Sequence, residues 1–146
     1  MLNCKTDITV RFSDVDSLGI VWHGNYVQYF EDARETFGAL FQLSYLEVFN
    51  QGYVTPIVHV DIDYKKPLKY GDKAYIELTY VDSEAAKIIF DYKIFKYPQN
   101  ELIVTGRTVQ VFLNINKELV LTIPSFFLDW KKKFILVEDA GSICSK

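Results

Sequence analysis

The chain has 146 residues and a formal net charge of −3; 49% are hydrophobic and 24% charged, the balance of one soluble domain. That balance excludes a nucleic-acid footprint, because the basic run from Lys131 to Lys133 is too short to track a phosphate backbone. No apolar run reaches 18 residues and the first five lack the apolar stretch of a signal peptide, so no membrane insertion and a cytoplasmic location are expected.

Residues 7–12 alternate apolar Ile8, Val10 and Phe12 with polar neighbours, which predicts a half-buried strand. A loop from Ser13 to His23 follows. From Gly24 the period changes: Tyr26, Phe30, Ala33, Phe37, Leu40 and Phe41 share one helical face, opposite Gln28, Glu31, Asp32, Glu35 and Gln42. Asn25 is placed as the N-cap of this helix, with Gln28 three residues on in the manner of a capping box. Gly38 costs the helix about 1 kcal/mol relative to Ala, so a close neighbour is expected there.

After Gly52 period 2 returns. Strands are predicted through Val58–Tyr64, Ala74–Tyr80 and Ile88–Ile94, then through the longer 102–114, where Gly106 marks a bulge or a close approach. Turn residues separate them at Pro67 and Gly71, at Asp82 to Glu84, at Tyr97 to Asn100 and at Asn114 to Lys117. Residues 119–123 read as a short extension, 125–136 as a short amphipathic helix and 138–146 as a frayed tail, leaving 1–137 as a single domain. The expectation is an α+β fold: a strand, one long helix, then four strands in an antiparallel meander, the five-stranded sheet wrapping the helix. One helix covers only one face. The other face and the strand edges then favour pairing between subunits, and an aromatic content of 16% supplies rings for such an interface or for a monomer core.

The chemistry concentrates between residues 11 and 26, where a loop carrying Asp14, Asp16, Gly19 and His23 runs into a helix start. The first turn of a helix offers unpaired amide N–H groups and a positive dipole end, which suit an oxyanion. A carboxylate placed opposite could attack a carbonyl or activate water, and a thioester is the electrophile best matched to so modest a nucleophile. Asp-rich loops ahead of helices also serve simply as turns and caps, so these residues alone leave both readings open.

The same segment resembles the 4-hydroxybenzoyl-CoA thioesterase family of hot-dog proteins, whose signature runs roughly [FY]-x-D-x-D-x-x-G-[IV]-V-x-x-x-x-Y. Phe12, Asp14, Asp16, Gly19, Ile20, Val21 and Tyr26 match it. His23 is similar instead to the related acyl-CoA thioesterases associated with the Tol–Pal system. Thr55 to Val58, Tyr64 with Pro67, Gly71-Asp72 and Ile123-Pro124 stand where family members have similar elements, so the resemblance covers residues 7 to about 130.

The resemblance implies hydrolysis of an acyl- or aroyl-coenzyme A, with Asp16 as nucleophile or general base and the backbone N–H of His23 as oxyanion donor. His23 has two readings, a side chain that moves a proton or a backbone donor alone. Gly24, Asn25 and Asp14 are expected to support the loop, and Tyr26, Tyr64, Lys65 and Lys66 to line the substrate's path, the lysines meeting phosphates. It also implies a homo-oligomer, a dimer at least and commonly a tetramer, with no cofactor beyond the coenzyme A of the substrate and no metal. His59, Asp61 and Asp63 share a strand face, yet lack a good fourth ligand and read as a solvated or interface surface. Cys4 and Cys144 lack paired zinc spacing and read as reduced thiols, a disulfide remaining open. Two other functions stay open: a hot-dog dehydratase or hydratase, whose motif is absent here, and a non-catalytic acyl-binding protein. The acyl group, and coenzyme A against an acyl-carrier protein as donor, are left open as well.

Overall fold

The computed structural model describes residues 2–135 and the backbone of 143–145. Strand β1 (Asn3–Thr9) leads into helix α1 (Asn25–Phe41) and the short α2 (Tyr45–Asn50). Strands β2 (Ile57–Tyr64), β3 (Lys73–Val81), β4 (Lys87–Lys96) and β5 (Glu101–Leu113) follow, then β6 (Leu119–Val120), α3 (Ser125–Phe134) and β7 (Ile143–Ser145). The sheet order is β2-β5-β4-β3-β1-β7, with β6 paired to β5. Its five long strands are those the sequence predicts, all antiparallel; β6 and β7 are short additions, and β7 alone pairs in parallel, along β1.

The meander holds only for β3, β4 and β5. Strand β2 crosses over to the far side of β5 and β1 docks on β3, so the two strands that precede the meander become its flanks. The first strand ends at Thr9, and Phe12 lies in a 3-10 turn spanning Phe12–Asp14 with 77% of its surface exposed. The cause is local: the Asp14 carboxylate accepts from the Arg11 N–H at 2.9 Å and closes the chain into a turn. In the expected tail, Ile143–Ser145 forms a strand, with Cys144 opposite Cys4 in register; residues 136–142 and 146 lie outside the described residues.

Tyr26, Phe30, Ala33, Phe37 and Phe41 of α1 are buried as the 3.6-residue period requires, whereas Leu40, at the margin of that face, is exposed. Gly106 explains how the sheet comes so close to the helix. A Cβ there would lie 2.6 Å from the Phe30 ring and 2.8 Å from the Asp61 carbonyl oxygen, so the ring occupies the space of a side chain. Phe30 then stacks on Tyr92 with ring centres 4.1 Å apart. The Tyr92 hydroxyl meets Thr108 Oγ1 at 2.6 Å and accepts from Arg34 Nη1 at 3.1 Å, which satisfies the polar groups under the helix. Gly38 has the expected neighbour: a Cβ there would lie 2.9 Å from the Leu43 carbonyl oxygen, where the chain reverses into α2. At the far end of α1, Trp130 of α3 donates from Nε1 to the Phe41 carbonyl at 2.7 Å and stacks on Phe127.

Strand β2 is the exception to this packing. Its apolar phase is real, yet Val58 is 58% and Val60 39% exposed, because nothing among the described residues covers them.

Candidate active site

Residues 14–22 form a small hairpin. Val15 bridges Val21, the Asp16 N–H donates to Ile20 O at 2.9 Å, and the Trp22 N–H donates to Asp14 O at 2.9 Å. Its tip is a three-residue loop in which the Gly19 N–H returns to Asp16 O at 2.9 Å and Gly19 takes φ +81°. That conformation explains the Asp-x-x-Gly spacing, since a turn followed by a left-handed residue takes Asp at its first position and Gly at its last.

Asp16 has a share in this turn: its Oδ1 accepts the Leu18 N–H at 2.8 Å. Among the described residues its other carboxylate oxygen has no hydrogen-bond partner. Asp16 is half-buried, on a hairpin that ends one residue before His23.

Asp14 behaves differently. Its Oδ2 takes both the Arg11 N–H at 2.9 Å and the Tyr29 hydroxyl at 3.0 Å, tying the loop to the core side of α1. Burial and the neighbouring Asp14 carboxylate together push the Tyr29 hydroxyl's pKa well above its ordinary value. Asp14, Asn25 and Tyr29 also wall a polar cavity of about 470 Å³ together with Arg11 and Asp32.

Behind the hairpin runs the stretch from Tyr64 to Tyr70, sewn to it by the Val21 N–H to Leu68 O bond at 2.8 Å and by the bridge between Ile20 and Lys69. The Tyr64 hydroxyl donates to the His23 carbonyl oxygen at 2.9 Å. The helix start differs from expectation: Gly24 occupies the cap position with no side-chain cap bond, and Asn25 is the first helical residue, its N–H donating to Trp22 O at 2.8 Å. The Trp22 ring lies over Gly24, where a Cβ would fall 2.3 Å from it, so any side chain there would have to displace the ring.

The structure thus brings Asp14, Asp16, His23, Gly24 and Asn25 into one junction. Tyr26, expected beside the substrate, is buried at 2% exposure, its ring edge-on to Tyr29 and Tyr64. Lys66 ion-pairs with Glu101, while Lys65 is exposed next to it. His59 meets Asp61 at 3.0 Å on the exposed face of β2, and no group of three metal-binding side chains occurs among the described residues. Among them, too, no helix is long and apolar enough to cross a membrane. The hold of Tyr29 on Asp14 is not legible in the sequence: nothing in the periodicity marks a buried hydroxyl with a carboxylate fifteen residues upstream.

Several known proteins share this architecture. YneP of Bacillus subtilis (strain 168), provisionally named an acyl-CoA thioesterase, is 29% identical over 126 residues, covering 86% of this chain and 91% of that protein. The chloroplastic acyl-acyl carrier protein thioesterase ATL3 of Arabidopsis thaliana is 29% identical over 136 residues, covering 93% of this chain and 71% of that protein. The crystal structure of a DHNA-CoA thioesterase from Staphylococcus aureus matches with a TM-score of 0.84 at 26% identity and covers 99% of both chains. The family model described as the thioesterase-like superfamily matches residues 10–131, from just before the hairpin into α3. The hairpin ahead of α1, the sheet around it and this match over most of the chain lead to one conclusion: the protein belongs to the thioesterase-like superfamily of hot-dog folds.

Proposed function

We propose that the chain hydrolyses the thioester of an acyl- or aroyl-coenzyme A, giving the free acid and coenzyme A. The observation that carries this reading is the junction itself. It sets Asp16, with one carboxylate oxygen held by the turn and the other without a hydrogen-bond partner among the described residues, on a hairpin that runs into the amide-rich start of α1. Asp16 is the acting group, as nucleophile or as general base on water, and its Asx turn fixes its direction without consuming both oxygens. The N–H groups of His23 and Gly24 receive the oxyanion, aided by the positive end of the 17-residue helix. His23 acts through its backbone, and its exposed ring is spare for proton transfer. Asp14 and Asn25 hold the junction in place.

Lys65, Lys66 and Lys69 line the surface behind the hairpin and meet the phosphates of the donor. A second copy completes the cleft. Support comes from the exposed Val58 and Val60 of β2 and from Leu18 and Trp22 on the hairpin, apolar groups that one chain leaves in water. We read the assembly as a homodimer or a tetramer built from it, working in the cytoplasm.

The test is thiol release from a panel of aromatic and aliphatic acyl-CoAs, run beside the matching acyl-carrier-protein thioesters. Wild type should release thiol from at least one coenzyme A thioester, and Asp16→Asn should lose at least about 100-fold in kcat, as expected for a positioned acid or base. Intact thioesters after prolonged incubation with wild type would leave only an acyl-binding role, and hydration or double-bond formation would favour the hydratase class.

A further inference from the structure

We infer that Tyr64 is a positioning residue, which fixes the direction of the Gly24 amide from behind by holding the carbonyl of the same peptide unit. The inference rests on the thioesterase reading and adds to it a residue that need not touch substrate.

His23 directly precedes the cap residue, Gly24, so its carbonyl lies outside the ladder of α1. That oxygen is taken by the Tyr64 hydroxyl at 2.9 Å. A trans peptide is planar, and its C=O and N–H point in opposite directions. Holding the His23 oxygen therefore aims the Gly24 N–H the other way, as a rigid lever would.

Glycine at position 24 makes the lever necessary. Without a Cβ the residue resists peptide rotation poorly, and the space a side chain would take is filled by the Trp22 ring. Trp22 is itself placed by its N–H bond to Asp14 O, and Tyr64 is placed by edge-on contact with the Tyr26 ring at 5.5 Å. The peptide is thus gripped on two sides, by an indole at Gly24 and by a phenol at the His23 oxygen.

The position of Tyr64 adds meaning to this grip. It is the last residue of β2, the strand whose exposed valines await a covering surface. A hydroxyl at the end of that strand reaches the helix start 41 residues earlier in the chain. Whatever seats β2 also seats the phenol.

Tyr64→Phe removes the hydroxyl and keeps the ring. With an acyl-CoA that wild type turns over, kcat should fall about tenfold, less than the 100-fold or more that follows outright loss of an oxyanion donor. KM, the pH profile and the affinity for a thioether analogue with methylene in place of the carbonyl should stay within about twofold. A variant with unchanged kcat, or one that loses thioether affinity in step with KM, overturns the inference. A readout independent of turnover is the Gly24 amide nitrogen resonance, which should shift and broaden in Tyr64→Phe while the melting temperature stays within a few degrees. An unmoved resonance overturns the inference as well. If wild type releases no thiol from any substrate, the thioesterase reading fails while this resonance still decides whether Tyr64 holds the peptide.

Discussion

At its C-terminal end α1 is gripped by rings. Phe37 and Phe41 pack among Tyr80, Phe90, Trp130 and Phe134, and the Phe41 carbonyl accepts from the Trp130 indole. At its N-terminal end the rings of Tyr26 and Phe30 are also packed, and single hydrogen bonds tie down the preceding loop: Tyr29 to Asp14, Tyr64 to His23, Asn25 to Trp22. The apolar groups nearby, Leu18 and Trp22, are left exposed. Rings stabilise through area and tolerate small shifts. Hydrogen bonds contribute little net energy each, yet they fix direction. One end of the helix is therefore held mainly by rings, while the other adds the bonds that set geometry.

Four measurements can break or sharpen that contrast. The largest effect is expected from Trp130→Ala, which should cost about 3 to 5 kcal/mol of folding stability in a denaturant titration while the molecules still folded keep wild-type kcat. A drop in kcat per folded molecule would show that the two ends are coupled. Next comes Asp16→Asn, the mirror image. Its loss of about 100-fold in kcat, near 2.7 kcal/mol of activation free energy, should leave the denaturation midpoint almost unmoved, since Asn can still close the Leu18 turn. A marked loss of stability would make Asp16 a structural residue. Tyr29→Phe should move both measures by less: the bond to the Asp14 carboxylate is worth about 1 to 2 kcal/mol, and with it kcat should slip a few-fold as the hairpin loosens.

The smallest effect is a matter of pH. Burial raises the pKa of Tyr29 and of Tyr80, reinforced by Asp14 in the first case and Asp82 in the second. The folded chain then keeps phenolic protons that the unfolded chain releases above about pH 10. These groups contribute no pH dependence below that value, and above it stability falls as pH rises. Denaturation midpoints measured with phenolate absorbance should decline together in alkali. Tyr29 releasing its proton well before Tyr80 and before unfolding would locate the looser end of the helix directly.

Much of this could be read from residues alone, and the exceptions share a cause. The helical face from Tyr26 to Phe41 and the strand pairs around Ile76, Ile94 and Val104 are periodic signals, and periodicity is local. The pairing of β2 with β5 spans more than forty residues and leaves no trace in spacing. Alternation along Val58, Val60 and Ile62 shows which side chains share a side, but not whether anything covers them. Helix α2 had a legible mark, the capping box of Ser44 and Glu47, whose reciprocal bonds at 3.2 and 2.9 Å are both made. In the candidate site, Asp16 and Gly19 were legible because one turn requires both. The sequence points to Tyr64 as a substrate-side aromatic beside lysines and not as a holder of the His23 peptide, because its bond goes to a main-chain oxygen that no residue type announces.

The parallel strand at the C-terminus has a bearing on how copies of the chain can meet. By lying along Asn3 to Lys5 it takes up hydrogen-bonding groups on one flank of the sheet, while the opposite flank, β2, shows its full length. A ribbon open on both flanks can recruit neighbours without end, the route by which edge strands grow into fibres. The β7 flank ends in a strand of three residues, a short edge for any further pairing, and two copies joined through β2 would use up each other's long open side. Growth along the sheet would then stop at a closed, two-fold pair.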